Sequence, residues 1–470
     1  MAGGLGWGIR GQYGHETGAM IAGLLVSLTA TILLAPKANP LATAKAVAIG
    51  TIAIGIGGSM TYGQTVGLTH DRELVGNWAA LRWGMLGLSI KGALWIGFFG
   101  TFLGLGLGGI RYRTREFIGL YLSLLGLCWI GIQTLNEPYN PAQRVLPSIY
   151  FSDDWRWEPT ATLKPRREVW GGLLFALVGL LAYTRFVRGD RLAWRLGAWA
   201  MLGGAVGFPL GQSLQAFHAW NLPTFQHEPW KQIDSVINWW NFMETTFGAT
   251  MGAAVGLGLW FNRNLITPSE PSTDPNSPPN ASTLQTTLAL ELATLVVHTT
   301  LLVLEEFSSI DFASTLYDFG ILLAFLPLIM VLRGRYWPFW IMLPITALPI
   351  AGKTFRQLAL ESHTASTALG ACLYLVLPML PTSWAALRIT AKVQSRSIDT
   401  AEGFARPCLA IAAWLYFGLN FAFFRFPWPW EPWTARTPNA IIYTLCLIGL
   451  SWVALRTHST KNHTHPEPPT

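Results

Sequence analysis

Runs of roughly 18 to 25 predominantly apolar residues recur along this chain, the length at which an α-helix matches the hydrocarbon core of a bilayer. In lipid the backbone has no water to satisfy its N–H and C=O groups, so helices and closed barrels are the available spanning structures. A barrel alternates apolar and polar residues over strands of about ten. Residues 171–181 and 321–332 are instead apolar on every side. The chain is therefore expected to be all-α, a polytopic transmembrane helical bundle. Charge supports this: 12% of the 470 residues are charged, against about 25% in soluble domains.

Thirteen spans are expected, within a range of 12 to 14, at 16–35, 43–63, 78–107, 115–134, 169–187, 192–214, 237–261, 284–304, 315–333, 336–352, 362–380, 405–426 and 438–455. That count puts four basic clusters on one side: Arg111, Arg113 and Arg115; Arg185, Arg188 and Arg191; Arg333 and Arg335; and Arg388, Lys392 and Arg396. Positive loops face the cytoplasm. The N-terminus is then outside and the C-terminus cytoplasmic, as in a bacterial inner-membrane protein. A Pro/Ser-rich linker at 267–283 separates a seven-helix half (1–266) from a six-helix half (284–456), and a polar tail follows at 457–470. Residues 384–402 read as an interfacial helix. No leader of the secretory pattern, a basic segment followed by an apolar one, is expected at the start. The net charge of +7 lies in short loops, where it orients a membrane protein, so no nucleic-acid partner is expected.

A parallel internal repeat is a second expectation. Gly63-Gln64-Thr65-Val66 with His70 matches Gly211-Gln212-Ser213-Leu214 with His218, each preceded by a double glycine and followed by Asn-Trp. Many membrane proteins are built from such duplications. The bland reading is that the glycines only let helices approach closely and the Gln and His cap helix ends.

The densest polar signal is residues 6–18, where five glycines are interleaved with Arg10, Gln12, His15 and Glu16. Glycine permits close approach to a ligand, Arg10 offers a bidentate partner for an anion, and His15 with Glu16 offers proton transfer. The competing reading is an exposed tail at the interface. Deeper in the spans lie Lys91, Glu244, Glu291 and His298. Charges at such depth are costly and mark a pathway unless they are structural pairs. Lys91 is expected to pair with Glu244, and Glu291 and His298, seven apart, share a helix face.

The outer side also collects acidic and aromatic residues. The longest loop, 136–168, carries Asp153 and Asp154 beside Trp155, and 427–433 is a Pro/Trp-rich loop. Tryptophan belongs at the membrane interface for physical reasons alone. The four cysteines lie in spans without ligand spacing, and no metal motif, nucleotide motif or cofactor site is legible. Two functions follow from these residues. One is a transporter of a small, anionic solute, coupled to protons or ions, with Arg10, Gln12, His15, Glu16, Gln64, His70, Lys91, Gln212, His218, Glu244, Glu291 and His298 lining the path. The other is a transferase or ligase with an outward-facing site for a lipid-linked substrate, with Asp153 and Asp154 catalytic. An assembly subunit is a third class on which the sequence is silent.

Overall fold

The computed structural model describes residues 1–152, 155–159, 165–268, 281–308, 310–318, 320–424, 433–434 and 436–456, with side chains from 288 onward in the segment that begins at 281. Asp153, Asp154, most of the linker, most of the 427–433 loop and the 457–470 tail lie outside the described residues. Among those described, the chain is helical, with one isolated β-bridge between Asn140 and Val145. Nine described helices are long and apolar enough to cross a membrane. A tenth follows if the pair Asp311–Asp318 and Ile321–Arg333, bent by 65°, is one span.

The longer helices of the first half are α1 (Ala2–Arg10), α2 (Glu16–Leu34), α3 (Pro40–Gly57), α4 (Gly63–His70), α5 (Trp78–Leu107), α6 (Thr114–Gly131), α7 (Trp170–Ala182), α8 (Arg191–Trp220) and α9 (Trp239–Phe261). The second half contains α10 (Ala281–Phe307), α11 (Asp311–Asp318), α12 (Leu326–Arg333), α13 (Thr346–Phe355), α14 (Leu377–Gln394), α15 (Ala401–Phe424) and α16 (Thr437–Leu455). Helix starts follow local chemistry. Asn39, Asn77, Asp190 and Asn238 each accept a backbone N–H three residues on, opening α3, α5, α8 and α9, and such caps satisfy donors that a helix start leaves orphaned.

Packing in the first half runs through glycine. Gly3 meets Gly248 (α1 on α9), Gly92 meets Gly204 (α5 on α8), and Gly131 meets Gly171 (α6 on α7); a Cβ at the first of each pair would sit 2.1, 2.3 and 2.3 Å from the partner's carbonyl oxygen. Lipid gives little hydrophobic drive for helix association, so van der Waals contact between close backbones does that work. The first half has described π-helical segments at Ile132–Asn136 and Tyr183–Val187, and the second half is interrupted more often. Four π-helical segments interrupt it, at Ile321–Phe325, Ile341–Ile345, Arg356–Glu361 and Ala371–Val376. Three precede a proline, at Pro327, Pro349 and Pro378. A proline inside a helix lacks an N–H and collides with the carbonyl four residues back, and a wider turn relieves that collision.

The basic clusters come together on one face. Arg188 donates to the Arg111 carbonyl, Tyr112 to Asp190, and Arg333 to Thr114, while Ala401 and Glu402 bond back to Ala38 and Pro36. The other ends of these helices carry the 136–169 loop and the breaks described below.

Several expectations need correction. The span read as 43–63 ends at Gly57, and 58–62 is a break before α4. Residues 384–394 are the end of α14, part of a 28-residue apolar helix, Thr367–Gln394, so the interfacial helix at 384–402 is not formed. Residues 2–10 are neither tail nor flexible approach: every one is buried, in a helix running antiparallel along α2. Gly6 abuts Ala22 and Gly18 abuts the Arg10 carbonyl. It is thus residues 11–15, and not Met1, that sit at the face where α2 begins; Met1 lies beside Thr29, Leu33 and Trp260.

Candidate functional site: a buried ion pair beneath two helix breaks

Two interruptions of the helices face each other. The first is residues 11–15, between α1 and α2, where Gly14 has φ +89°. The second is residues 58–62, between α3 and α4. They touch: a Cβ on Gly58 would lie 2.5 Å from the His15 carbonyl oxygen.

Arg10, the last residue of α1, lies beneath them and is 1% exposed. Its Nη2 donates to Tyr62 Oη at 2.7 Å and to Glu244 Oε1 at 3.0 Å. Its guanidinium carbon stands 4.8, 5.5 and 5.2 Å from the ring centres of Trp7, Tyr62 and Trp95. Aromatic faces attract a desolvated cation, so the cage holds the charge where water does not reach. Phe208 and Phe247, stacked at 4.7 Å, close the cage against Tyr62 and Trp7. Gly11 is required here, because a Cβ would lie 2.3 Å from Glu244 Oε2. The pair is incompletely satisfied. Arg10 Nε is buried with no hydrogen-bond partner among the described residues, and Glu244 Oε2 has no well-formed one, although Trp240 comes within side-chain hydrogen-bonding reach of this carboxylate.

Above the pair, charged and polar side chains gather around the first break. His15 is open to solvent on one side, and burial on the others, together with the cations Arg10, Arg166 and Lys353, pushes its imidazole down to about 4. Its ring packs edge-on against Tyr62 at 4.8 Å. Glu16 is within electrostatic reach of Asp318 and Arg10. Beside it is a cavity of about 210 Å³ lined by Thr17, Glu305, Glu306, Tyr317 and Arg356, among others. Glu306 pairs with Arg356 at 2.9 Å, and Tyr317 lies in the field of Glu16, Glu305, Glu306 and Asp318. This polar cleft lies between α2, the end of α10, α11 and the turn after α13; His15, in the field of Arg166 and Lys353, stands beside it. No group of three His, Cys, Asp or Glu side chains among the described residues is placed to hold a metal.

Lys91 belongs elsewhere, and the expected Lys91–Glu244 pair is not formed. Its Nζ donates to Glu168 Oε1 at 2.6 Å and to Thr65 Oγ1 at 2.7 Å. Ser152 donates to the same carboxylate oxygen at 2.9 Å, and the Phe151 N–H to the other at 3.0 Å. This network clamps the 136–168 loop onto α4 and α5. Glu244 instead pairs with Arg10, carried in by α1.

The remaining candidates are spread out. Gln64 accepts the Arg166 N–H, which ties α4 to the loop next to the cleft. Gln212 donates to Thr69 Oγ1 at 2.7 Å, joining α8 to α4. His70 bonds the Val66 carbonyl, and His218 lies 2.8 Å from Asp234 and stacks on Trp239. Glu291 Oε1 accepts the N–H groups of Arg335, Tyr336 and Trp337, capping the helix that starts at Trp337. His298 donates Nε2–H to the Leu322 carbonyl at 2.8 Å, in a π-helical turn. Both have structural partners far from Arg10 in sequence and helix. Gln12 is half-buried in the first break.

No known family model matches the chain, and neither a curated protein nor a solved structure matches it. The site rests on its own geometry. Sequence reasoning missed the cage of Trp7, Tyr62 and Trp95, whose rings read as ordinary apolar positions. It also missed Glu168, which reads as the last loop charge before a span. Nothing in the spacing of Glu305, Glu306, Lys353 and Arg356 along the sequence joins them to residues 10–16.

Proposed function

We propose that the protein is a proton-coupled transporter of a small organic anion, with Arg10 as the anion-binding group. The observation that carries this reading is the buried, incompletely satisfied Arg10–Glu244 pair beneath two facing helix breaks. Discontinuous helices place substrate sites in secondary transporters, and charged groups at depth usually mark a pathway. The chemistry is a competition. Ionised Glu244 neutralises Arg10 and leaves no room for an anion. Protonating Glu244 releases the guanidinium, so an anion arriving past His15 and Lys353 takes the place of the carboxylate. Loss of that proton on the other side returns Glu244 to Arg10 and expels the anion.

The same reading puts the basic face in the cytoplasm and the cleft outside, in a cytoplasmic membrane. It counts α8, α9 and the composite helix from Trp337 to Glu361 as crossings besides the ten apolar candidates, giving thirteen. The Gln-[Ser/Thr] repeat is kept as a proposal, supported by the equivalent Asn caps at Asn77 and Asn238.

The test is a thermal-shift screen of purified protein, since a ligand that binds only the native state raises stability. Small carboxylates or phosphates should stabilise it, more so at low pH. Glu244→Gln, which mimics the protonated acid, should bind them without pH dependence, and Arg10→Met should not bind. A shift indifferent to both substitutions would sink the proposal. The cleft lies on one face only, opposite the four basic clusters, which favours the second reading, an outward-facing transferase. A shift confined to lipid-linked or activated donors would move the assignment there, and the Asp153→Asn and Asp154→Asn variants would then be tested for loss of turnover.

A further inference from the structure

Arg10 is caged and 1% exposed, so an anion reaches its guanidinium only if something that covers it moves. The two breaks lie above it and are fastened differently. The second, 58–62, is tied to the cage itself through Tyr62, which accepts from Arg10 at 2.7 Å. The first, 11–15, is fastened to the second half of the chain by Tyr13. This ring is buried and packs edge-on against Phe423 of α15 at 5.7 Å. Its hydroxyl lies beside Thr354 of α13 and Asn420 of α15. The backbone of the same residue grips both helices of the break. Its N–H donates to the Arg10 carbonyl at 2.8 Å, and its carbonyl accepts the Thr17 hydroxyl at 2.6 Å. A displacement of the Tyr13 ring is therefore passed to Arg10 within one turn.

The fastening is poorly made. Thr354 and Tyr13 stand 3.5 Å apart, and the Thr354 hydroxyl has a shorter bond, 2.8 Å, to the Ile350 carbonyl. Asn420 is 1% exposed. It comes within side-chain hydrogen-bonding reach of Tyr13, yet neither its oxygen nor its nitrogen has a well-formed partner among the described residues. A buried amide in that position is costly, whereas an apolar side chain of the same shape is not. The cost falls on the closed arrangement, because an uncovered amide finds water.

We propose that Tyr13 is a latch: held loosely by Thr354 and Asn420, it keeps residues 11–15 over Arg10, and the unsatisfied Asn420 amide keeps that closed arrangement from being too stable to open. Opening withdraws the ring from α13 and α15, hydrates Asn420 and uncovers the guanidinium. Elements that gate a site belong to the less stable parts of a fold, and a ligand that binds only the open form shifts the population toward it. The latch rests on the reading that an anion must reach Arg10, and it adds the part that moves.

Hydrogen–deuterium exchange of the full-length protein in detergent, read by mass spectrometry over residues 10–17, tests the latch without any ligand, because exchange there tracks how often the segment opens. Asn420→Leu should slow this exchange about tenfold or more and raise the unfolding temperature, since the closed form sheds an unsatisfied amide. Exchange around the Lys91 clamp should stay as in the wild type. If Asn420→Leu does not fold, the slightly smaller Asn420→Val serves for the exchange measurement. Unchanged or faster exchange over residues 10–17 would overturn the proposal. So would a lower unfolding temperature in Asn420→Leu, the mark of an amide whose bonds an ordered water completes. Because no anion is used, the latch is judged even where the thermal-shift screen finds no ligand, an outcome that counts against the transport reading alone.

Discussion

Two buried ion pairs stand in the same half of this molecule, and they are finished differently. Around Lys91 and Glu168, both carboxylate oxygens and the ammonium group have close polar partners, supplied by Thr65, Phe151 and Ser152. Around Arg10 and Glu244, one guanidinium nitrogen carries the hydrogen bonds to Tyr62 and Glu244, aromatic rings surround the cation, Nε is left over, and Oε2 has Trp240 within reach but no well-formed bond. A buried charge is expensive unless paired and fully hydrogen-bonded. The first pair meets that condition and fixes a loop; the second meets it in part, as expected of groups that exchange partners. Burial is the same in both pairs, and the completeness of their hydrogen bonding is what differs; under the proposed function the less complete pair is the working one.

The comparison is sharpest in stability. Lys91→Met or Glu168→Gln should destabilise by about 3–5 kcal/mol, because each strands a buried charge or its donors. Denaturant unfolding in detergent would measure this, and replacing both residues by apolar ones should recover much of the loss. If either single change costs less than Glu244→Gln, the assignment of the Lys91 network as the structural clamp fails.

Glu244→Gln comes second, with an expected cost of about 1–3 kcal/mol. The amide keeps an acceptor for Arg10, and the cage keeps the cation. If the proposed function holds, activity should suffer more than folding: proton-coupled uptake into proteoliposomes should vanish while the protein still unfolds cooperatively. A variant that retains pH-driven uptake would return this pair to the structural class.

The sequence showed part of this contrast and hid the rest, for physical reasons. Apolar length fixed the helical class, and the Gly-rich stretch 6–18 pointed to Arg10, His15 and Glu16, which do meet at one place. The pairing of charges was not legible. Lys91 and Glu244 looked complementary because each lies inside a span, but a charge pairs with what the tertiary fold brings near. Glu168 reaches Lys91 only because its loop folds back over α4 and α5. Arg10 reaches Glu244 only because α1 doubles back along α2, and the glycines that permit this, Gly6 and Gly18, look like any others in a chain containing 47. Glu291 and His298 share a helix and seemed a pair, yet each answers a local demand, one for a helix start and one for a π-turn carbonyl.

A smaller effect separates the two acceptors of Arg10. Tyr62→Phe removes one hydrogen bond to a charged group, while the ring and its contact with the cation remain. A loss of about 1.5 kcal/mol is expected, with anion binding retained. If binding of small anions disappears in this variant, Tyr62 acts in recognition and the cage is more than a support for the ion pair.

The smallest expected effect is a pH dependence on the Arg10 side of the comparison. His15 is held at about 4, against 6.5 for an ordinary histidine, by burial and by Arg10, Arg166 and Lys353. Above pH 6.5 the ring is neutral in both folded and unfolded chains, and its contribution to stability is complete. As pH falls from about 6.5 to about 4, the unfolded chain takes up the proton first, so this contribution is progressively lost. Because the ring is partly open to solvent and screened, the loss should amount to about 1 kcal/mol. His15→Gln should flatten the stability profile over that interval without touching the Lys91 clamp. A profile unchanged by this substitution would mean that the cations around His15 are neutralised by water and counter-ions, and that the cleft presents less positive charge to an arriving anion than its geometry implies.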